Sequence, residues 1–237
     1  MLQLWSHRKF QNFFILHVSV ILGMFFVPLD RWYFYDILIF SLLTWPMLSL
    51  ILHSYFNHNY VTFRNRFIEV LCLMYISLIS YWNFADMKSY HVAHHKYWPT
   101  MDDPTAQEIR QGFLKFYIGL TKPCRIEYVK TKPNPIVDFF NQHFYLIKFI
   151  LISIFVLLSW KMFFHFIVVQ QLLFFIASKV IDGLFHINDD EPDKPWLFPI
   201  YWNDSWHTEH HTVYDKEVWH WKWINIQYYY SKLLFKN

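Results

Sequence analysis

Four apolar blocks of near-spanning length constrain this chain more than any other feature. They are residues 11–28 (QNFFILHVSVILGMFFVP), 34–52 (FYDILIFSLLTWPMLSLIL), 143–160 (HFYLIKFILISIFVLLSW) and 162–181 (MFFHFIVVQQLLFFIASKVI). A helix needs about 20 such residues to cross a hydrocarbon core. The apolar residues form blocks rather than stripes, so these segments have no polar face to turn towards water. The polar turns at Asp30-Arg31 and at Lys161 join the blocks into two helical hairpins. No positively charged n-region, short apolar h-region and small-residue cleavage site marks a signal peptide, so the first block is expected to stay as an anchor.

Composition supports this reading. The chain is 55% hydrophobic and 23% aromatic but only 16% charged, which excludes a disordered chain. Two cysteines exclude a disulfide framework, and a net charge of +3 gives no argument for nucleic acid. A fifth apolar stretch, 67–84, carries Glu69 and is expected to be buried or to lie along the surface without crossing.

Orientation follows from the basic residues. Between the hairpins lie Arg64, Arg66, Lys88, Lys96, Arg110, Lys115, Lys122, Arg125, Lys130 and Lys132. Arg8 and Lys9 precede the first block, the tail carries five lysines, and each hairpin turn offers a single basic residue. Both termini and the central segment are therefore expected on the cytoplasmic side. The predicted fold is all-α and integral to the membrane: four transmembrane helices, in two hairpins, under a cytoplasmic helical cap formed by 53–142 and 182–237.

Fourteen histidines require an explanation. His53 and His58 form H-x4-H just past the second block; His91, His94 and His95 form H-x2-H-H; His207, His210 and His211 repeat that pattern. His186 lies four residues after Asp182. On a helix, positions i, i+3 and i+4 share one face, so each H-x2-H-H presents its imidazoles together. The hairpin topology returns all nine of these histidines to one membrane face, provided 67–84 does not cross. A structural zinc takes four ligands and a catalytic zinc usually three, so nine favour two ions. Imidazole suits iron, copper, nickel and zinc alike. His7, His17, His143, His165 and His220 are read as packing or interfacial, although His165 lies within a span, where a titratable group is a functional suspect. Asp102, Asp103, Asp189, Asp190 and Glu209 are expected to be solvated or capping more often than orienting a ligand. The aromatic run VWHWKWINIQYYY, with Lys216, Lys222 and Lys232, predicts an amphipathic interfacial helix.

The series HSYFNH, HVAHH, HTEHH resembles the three histidine boxes of the membrane fatty acid desaturase superfamily. The closer resemblance is to the acyl-CoA (stearoyl-CoA, delta-9 type) branch. It rests on Lys96-Tyr97 after the second box, Asp103-Pro104, then Arg110, Gly112, Phe113 and Gly119, and Trp206 before the third box. Asp182 and His186 stand where that branch has an asparagine and an additional histidine ligand. Val92, Tyr117, Leu120 and Asn203-Asp204-Ser205 depart from the branch pattern. The resemblance runs from about residue 50 to the C-terminus. It implies His53, His58, His91, His94, His95, His186, His207, His210 and His211 as ligands of two Fe2+ ions, with Asp182 in water-mediated contact or behind a ligand, tuning the metal. It implies O2 as co-substrate, a long-chain acyl substrate, and a ferredoxin or cytochrome b5 type electron donor. The same site chemistry would also serve a lipid hydroxylase, a ketolase or a terminal-alkene-forming decarboxylase. A zinc- or copper-dependent membrane hydrolase and a non-enzymatic metal-binding membrane protein are the remaining readings. The small size and the lack of a C-terminal retention signal point to a bacterial inner membrane rather than an ER membrane.

Overall fold

The computed structural model describes residues 2–26, 31–122, 126, 134–186, 207–212 and 219–236. For 2–8, 31–34, 181, 182, 184–186 and 207 it describes the backbone alone. The turn of the first hairpin (27–30), most of the loop at 121–135 and the acidic loop at 188–199 lie outside the described residues.

The described chain is mostly helical. Helix α1 (Leu2–Phe26) and α2 (Arg31–Leu50) come first, and α2 continues as a π-helical segment, Ile51–Asn57. Strand β1 (Thr62–Phe63), α3 (Arg66–Ile79), α4 (Phe84–Tyr97), α5 (Pro104–Arg110), α6 (Phe113–Ile118) and α7 (Pro135–Gln142) follow. Then come α8 (Phe144–Phe163), a second π-helical segment (Phe164–Val168), α9 (Val169–His186), α10 (His207–Thr212), α11 (Ile226–Leu234) and β2 (Phe235–Lys236).

Among the described residues, three stretches are long and apolar enough to cross a membrane: Lys9–Phe26, Tyr35–Asn57 and Phe144–Val180. Their outward surfaces carry large exposed apolar side chains, among them Phe25 at 80% and Leu157 at 85% exposure. A monomer in water does not expose such a continuous apolar surface. The second stretch runs past its expected end at residue 52, because α2 does not stop but changes pitch.

The third stretch is broken at Ser159, whose extended backbone (φ −166°, ψ 104°) interrupts the helix. The break falls two residues before the turn expected at Lys161, and the Ser159 hydroxyl receives the Met162 N–H at 3.3 Å to start the second arm. The two arms fold back on one another. Lys148 Nζ donates to the Ser80 carbonyl at 2.5 Å, while Gln171 Nε2 donates to the Leu78 carbonyl, so both arms reach the same short loop. A straight helix would hold these two residues about 35 Å apart.

That loop is where 67–84 bends. The stretch is not one straight helix: α3 has 14 residues and meets α4 at 84°. Carbonyls at the end of α3 lose their intrahelical donors. Lys148, Gln171 and Asn12 (to the Tyr81 carbonyl, 2.9 Å) supply replacements from α8, α9 and α1. Non-helical backbone among apolar helices needs such partners. Glu69 on α3 is 1% exposed and accepts from Tyr55, Arg66 and Asn134.

At the N-terminal side, Lys9 of α1 pairs with Glu108 of α5 at 2.5 Å, both buried. Gly119 ends α6 with φ +74°, and a Cβ there would lie 2.9 Å from the Lys9 backbone, so only glycine fits without strain. The aromatic C-terminal run is helical only from Ile226, after Asn225 caps it. Lys216 lies outside the described residues. Helix α11 is strapped to α2 by Tyr230 (to the Leu43 carbonyl, 2.9 Å) and Gln227 (to the Pro46 carbonyl, 3.4 Å).

Candidate metal centre

The first histidine pair owes its geometry to the π-helical turn. Positions five apart on an α-helix point about 140° away from each other. A π-helix closes i to i+5 bonds instead. Here the His58 N–H donates to the His53 carbonyl at 3.1 Å, and the two rings lie 4.7 Å apart. The change of pitch at the end of α2 therefore gathers H-x4-H onto one side.

The second group sits in the last turns of α4, whose start is fixed by Asn83 accepting from the Asp86 N–H at 2.8 Å. His91 and His95, one turn apart, bring their Nε2 atoms to 3.1 Å. The third group begins α10, where His210 and His211 face the first two.

The three groups meet. His53 Nε2 lies 2.9 Å from His210 Nε2, His210 Nε2 2.8 Å from His95 Nε2, and His91 Nε2 2.8 Å from His58 Nε2. Ligand atoms of His53, His58, His91 and His210 all fall within 4.8 Å of one another. A single ring nitrogen carries either an N–H or a lone pair, never both. A string of such contacts needs strictly alternating tautomers and shared donors; a cation at the centre satisfies every lone pair at once. Metal–nitrogen bonds of about 2.1 Å in a tetrahedron separate nitrogens by about 3.4 Å, a few tenths more than the contacts seen. The donor set thus fits a metal with little movement.

The electrostatics favour lone pairs over protons. Burial, reinforced by His95, His58, His53 and His210, holds His91 well below the ordinary imidazole value. Burial lowers His94 to about 3, and burial followed by the charges of His94 and His53 lowers His95 to about 3. Neutral imidazole is the form that binds metal.

A second set adjoins the first. The His211 ring lies 4.4 Å from His94 and 4.3 Å from His95. His94 Nδ1 bonds Asp103 Oδ1 at 3.0 Å, the carboxylate–histidine pairing that fixes a ligand's tautomer and leaves Nε2 to carry the lone pair. Burial pushes the Asp103 carboxyl up to about 7, against the opposing backbone N–H groups of Thr105 and Ala106 and the charge of Arg110.

Seven of the nine expected ligands, His53, His58, His91, His94, His95, His210 and His211, are brought together. His186 ends α9 and His207 starts α10, but their side chains, and that of Asp182, lie outside the described residues. Asp103 combines two roles that sequence reasoning had treated as alternatives, because its Oδ1 also accepts the Thr105 N–H and caps α5. Glu209 bonds His220 at 2.6 Å, outside the cluster. His17 bonds the Phe13 carbonyl and Tyr117, as a packing residue does. Sequence reasoning missed Tyr60, stacked on His58 at 4.6 Å, and Trp98, stacked on His211 at 4.5 Å. The only sequence signal for either was an aromatic residue close after a histidine box.

One cavity reaches the centre and a second adjoins the first. One of about 190 Å3 is lined by His91 and His94 together with Tyr81, Trp82, Met87, Tyr90 and Phe174. A larger, largely apolar one of about 510 Å3 lies between α1, α8 and α9 and shares Tyr81 with the first. No protein-family model matches this chain, and no curated protein matches it.

Proposed function

We propose that the protein is an integral-membrane, oxygen-dependent di-iron desaturase that introduces a double bond into a long acyl chain. The observation that carries this reading is the convergence of histidines from three separate sequence boxes, in the order and spacing of the desaturase superfamily, on one compact cluster. His53, His58, His91, His95 and His210 would hold one side of the centre, and His94 and His211, joined by His186 and His207, the other. Two irons bound there supply the oxidising power, taken from O2, that an unactivated methylene pair requires. Two hydrogens leave the chain as a C=C bond forms. O2 is reduced to two waters, taking the two hydrogens of the chain, two electrons delivered singly by a ferredoxin or cytochrome b5 type donor, and two protons from water.

The protein's own residues bind, orient and exclude water. Asp103 aligns His94, Trp98 and Tyr60 hold the rings of His211 and His58 by stacking, and Tyr81, Trp82 and Phe174 provide an apolar wall beside the histidines. Holding the reacting carbons still against that wall is the main contribution a scaffold can make. The 510 Å3 cavity beside Tyr81 gives the rest of an apolar chain a place among the helices. In this reading the arms on either side of Ser159 each cross the bilayer, making two hairpins with α1 and α2. The α3–α4 bend does not cross, and both termini and the histidines face the cytoplasm.

The test is mass spectrometry of total fatty acids, with double-bond localisation, from a host expressing this chain beside a His95→Ala control. A monounsaturated acid absent from the control is the expected result. A hydroxylated, oxidised or shortened product in its place would reassign the site to the lipid hydroxylase, ketolase or decarboxylase reading. No new product from metal-loaded protein supplied with electron donor would overturn both.

A further inference from the structure

On the far side of the π-helical segment from the histidines lies a cleft of about 460 Å3 that metal chemistry does not use. We propose that it binds the phosphate headgroup of an anionic phospholipid.

Four cationic side chains from three places in the sequence line it: Arg64 and Arg66, Lys88, and Lys236. Their convergence is built into the fold. The β1–β2 register pairs Thr62 with Lys236, and alternation along a strand puts Arg64 on the same side as Thr62. The Arg64 N–H donates to the Leu234 carbonyl at 2.9 Å and its Nε to the Phe235 carbonyl, which pins the guanidinium where it lines the cleft. Lys88, a buried residue of α4, also lines the cleft. The one carboxylate among the described lining residues is already engaged: Glu69 Oε1 accepts from Tyr55 and Asn134, and its Oε2 accepts from Arg66 at 2.6 Å. Among the described lining residues, Arg64 and Lys236 stand beyond the Arg66–Glu69 pair, and this positive charge is what a phosphate complements.

The rim argues for a lipid rather than a soluble phosphate. Phe67, next to Arg66, is 68% exposed, and α7, which supplies Pro135, Val137 and Asn141 to the cleft, runs on to α8 with Phe139 and Tyr145 exposed. This apolar flank leads straight into the Phe144–Val180 stretch, where acyl chains would lie. Basic pockets beside membrane helices take headgroups in this manner. The proposal does not depend on iron or on desaturation.

The test is native mass spectrometry of the full-length protein in neutral detergent with equimolar phosphatidylglycerol and phosphatidylcholine. The wild type is expected to retain phosphatidylglycerol preferentially. Each cation removed should lower that preference about five-fold, and Arg64→Gln with Arg66→Gln about thirty-fold. Lys115→Gln, outside the cleft, should leave it unchanged. Arg64→Lys with Arg66→Lys should keep most of it, which separates charge from structural damage. Lys236→Gln, on an exposed strand end, repeats the test should the glutamine pair fail to fold. Equal retention of both lipids, a preference unaffected by these changes, or displacement of the lipid by inorganic pyrophosphate at equal concentration would overturn the proposal.

Discussion

Replacing Asp103 separates its two roles. Its Oδ1 accepts the Thr105 N–H at 2.8 Å and the His94 Nδ1–H at 3.0 Å. Asp103→Asn keeps an oxygen at that position, and asparagine caps a helix as well as aspartate does, so stability should change by only a few tenths of a kcal/mol. The amide is a weaker acceptor than a carboxylate, so His94 becomes a poorer ligand and metal affinity should fall about ten-fold. Asp103→Ala removes both contacts. Loss of the cap costs about 1 kcal/mol. Leaving the buried His94 N–H without its acceptor costs about 1–3 kcal/mol more. Metal affinity should then fall towards 100-fold below wild type, about the upper limit for such partners. Thermal unfolding of chelator-treated protein reads the first quantity, and competition with a coloured chelator reads the second. Both belong at pH 8, above the Asp103 value of about 7, so that the carboxylate is ionised. Asparagine destabilising as much as alanine, or both variants keeping wild-type metal affinity, would refute the reasoning.

Two further predictions concern charge. Lys9 and Glu108 are 6% and 1% exposed, so Lys9→Met strands a buried carboxylate and should cost about 3–5 kcal/mol. Lys9→Met combined with Glu108→Leu should recover most of that loss, and a neutral single variant in a thermal melt would contradict the burial. Metal-free protein should also lose stability as pH falls below about 6.5. His91, His94 and His95 are held neutral when folded but protonate near 6.5 when unfolded, so the unfolded state takes up more protons in that window. Asp103, raised to about 7, acts in the opposite sense and offsets one of the three. Two net protons correspond to about 2.7 kcal/mol per pH unit. Melts between pH 5 and 8 should therefore slope upward with pH, and a flat profile would contradict buried neutral imidazoles.

Periodicity and ligand spacing made the apolar blocks and the histidine groups legible, because both depend on side chains repeating at a fixed interval. The second and third boxes are helical as their i, i+3, i+4 spacing requires, in α4 and α10. The first box was harder to read. H-x4-H gathers only through a π-turn, and nothing in ILHSYFN distinguishes that turn from ordinary helix. A break near Lys161 was legible, but its position was not. Lys161 is the charged residue, yet Ser159 interrupts the helix, because its hydroxyl can cap the next arm. Contacts between distant residues left no local trace: Lys9 with Glu108, Asn12, Lys148 and Gln171 on one loop, and β1 with β2. Asp103 was visible as a helix start before Pro104, but its bond to His94 depends on how α5 folds back on α4.

The most direct test of the account is the metal content of protein purified without added chelator from iron-supplied cells, measured by elemental mass spectrometry beside a His95→Ala variant. Two irons per chain are expected in the wild type, since cluster and adjoining set together offer more imidazoles than one ion can use. The variant, which loses a side chain touching both sets, should retain well below half of that iron. Wild-type protein that is folded and metal-free, or that carries one zinc in place of iron, would contradict it.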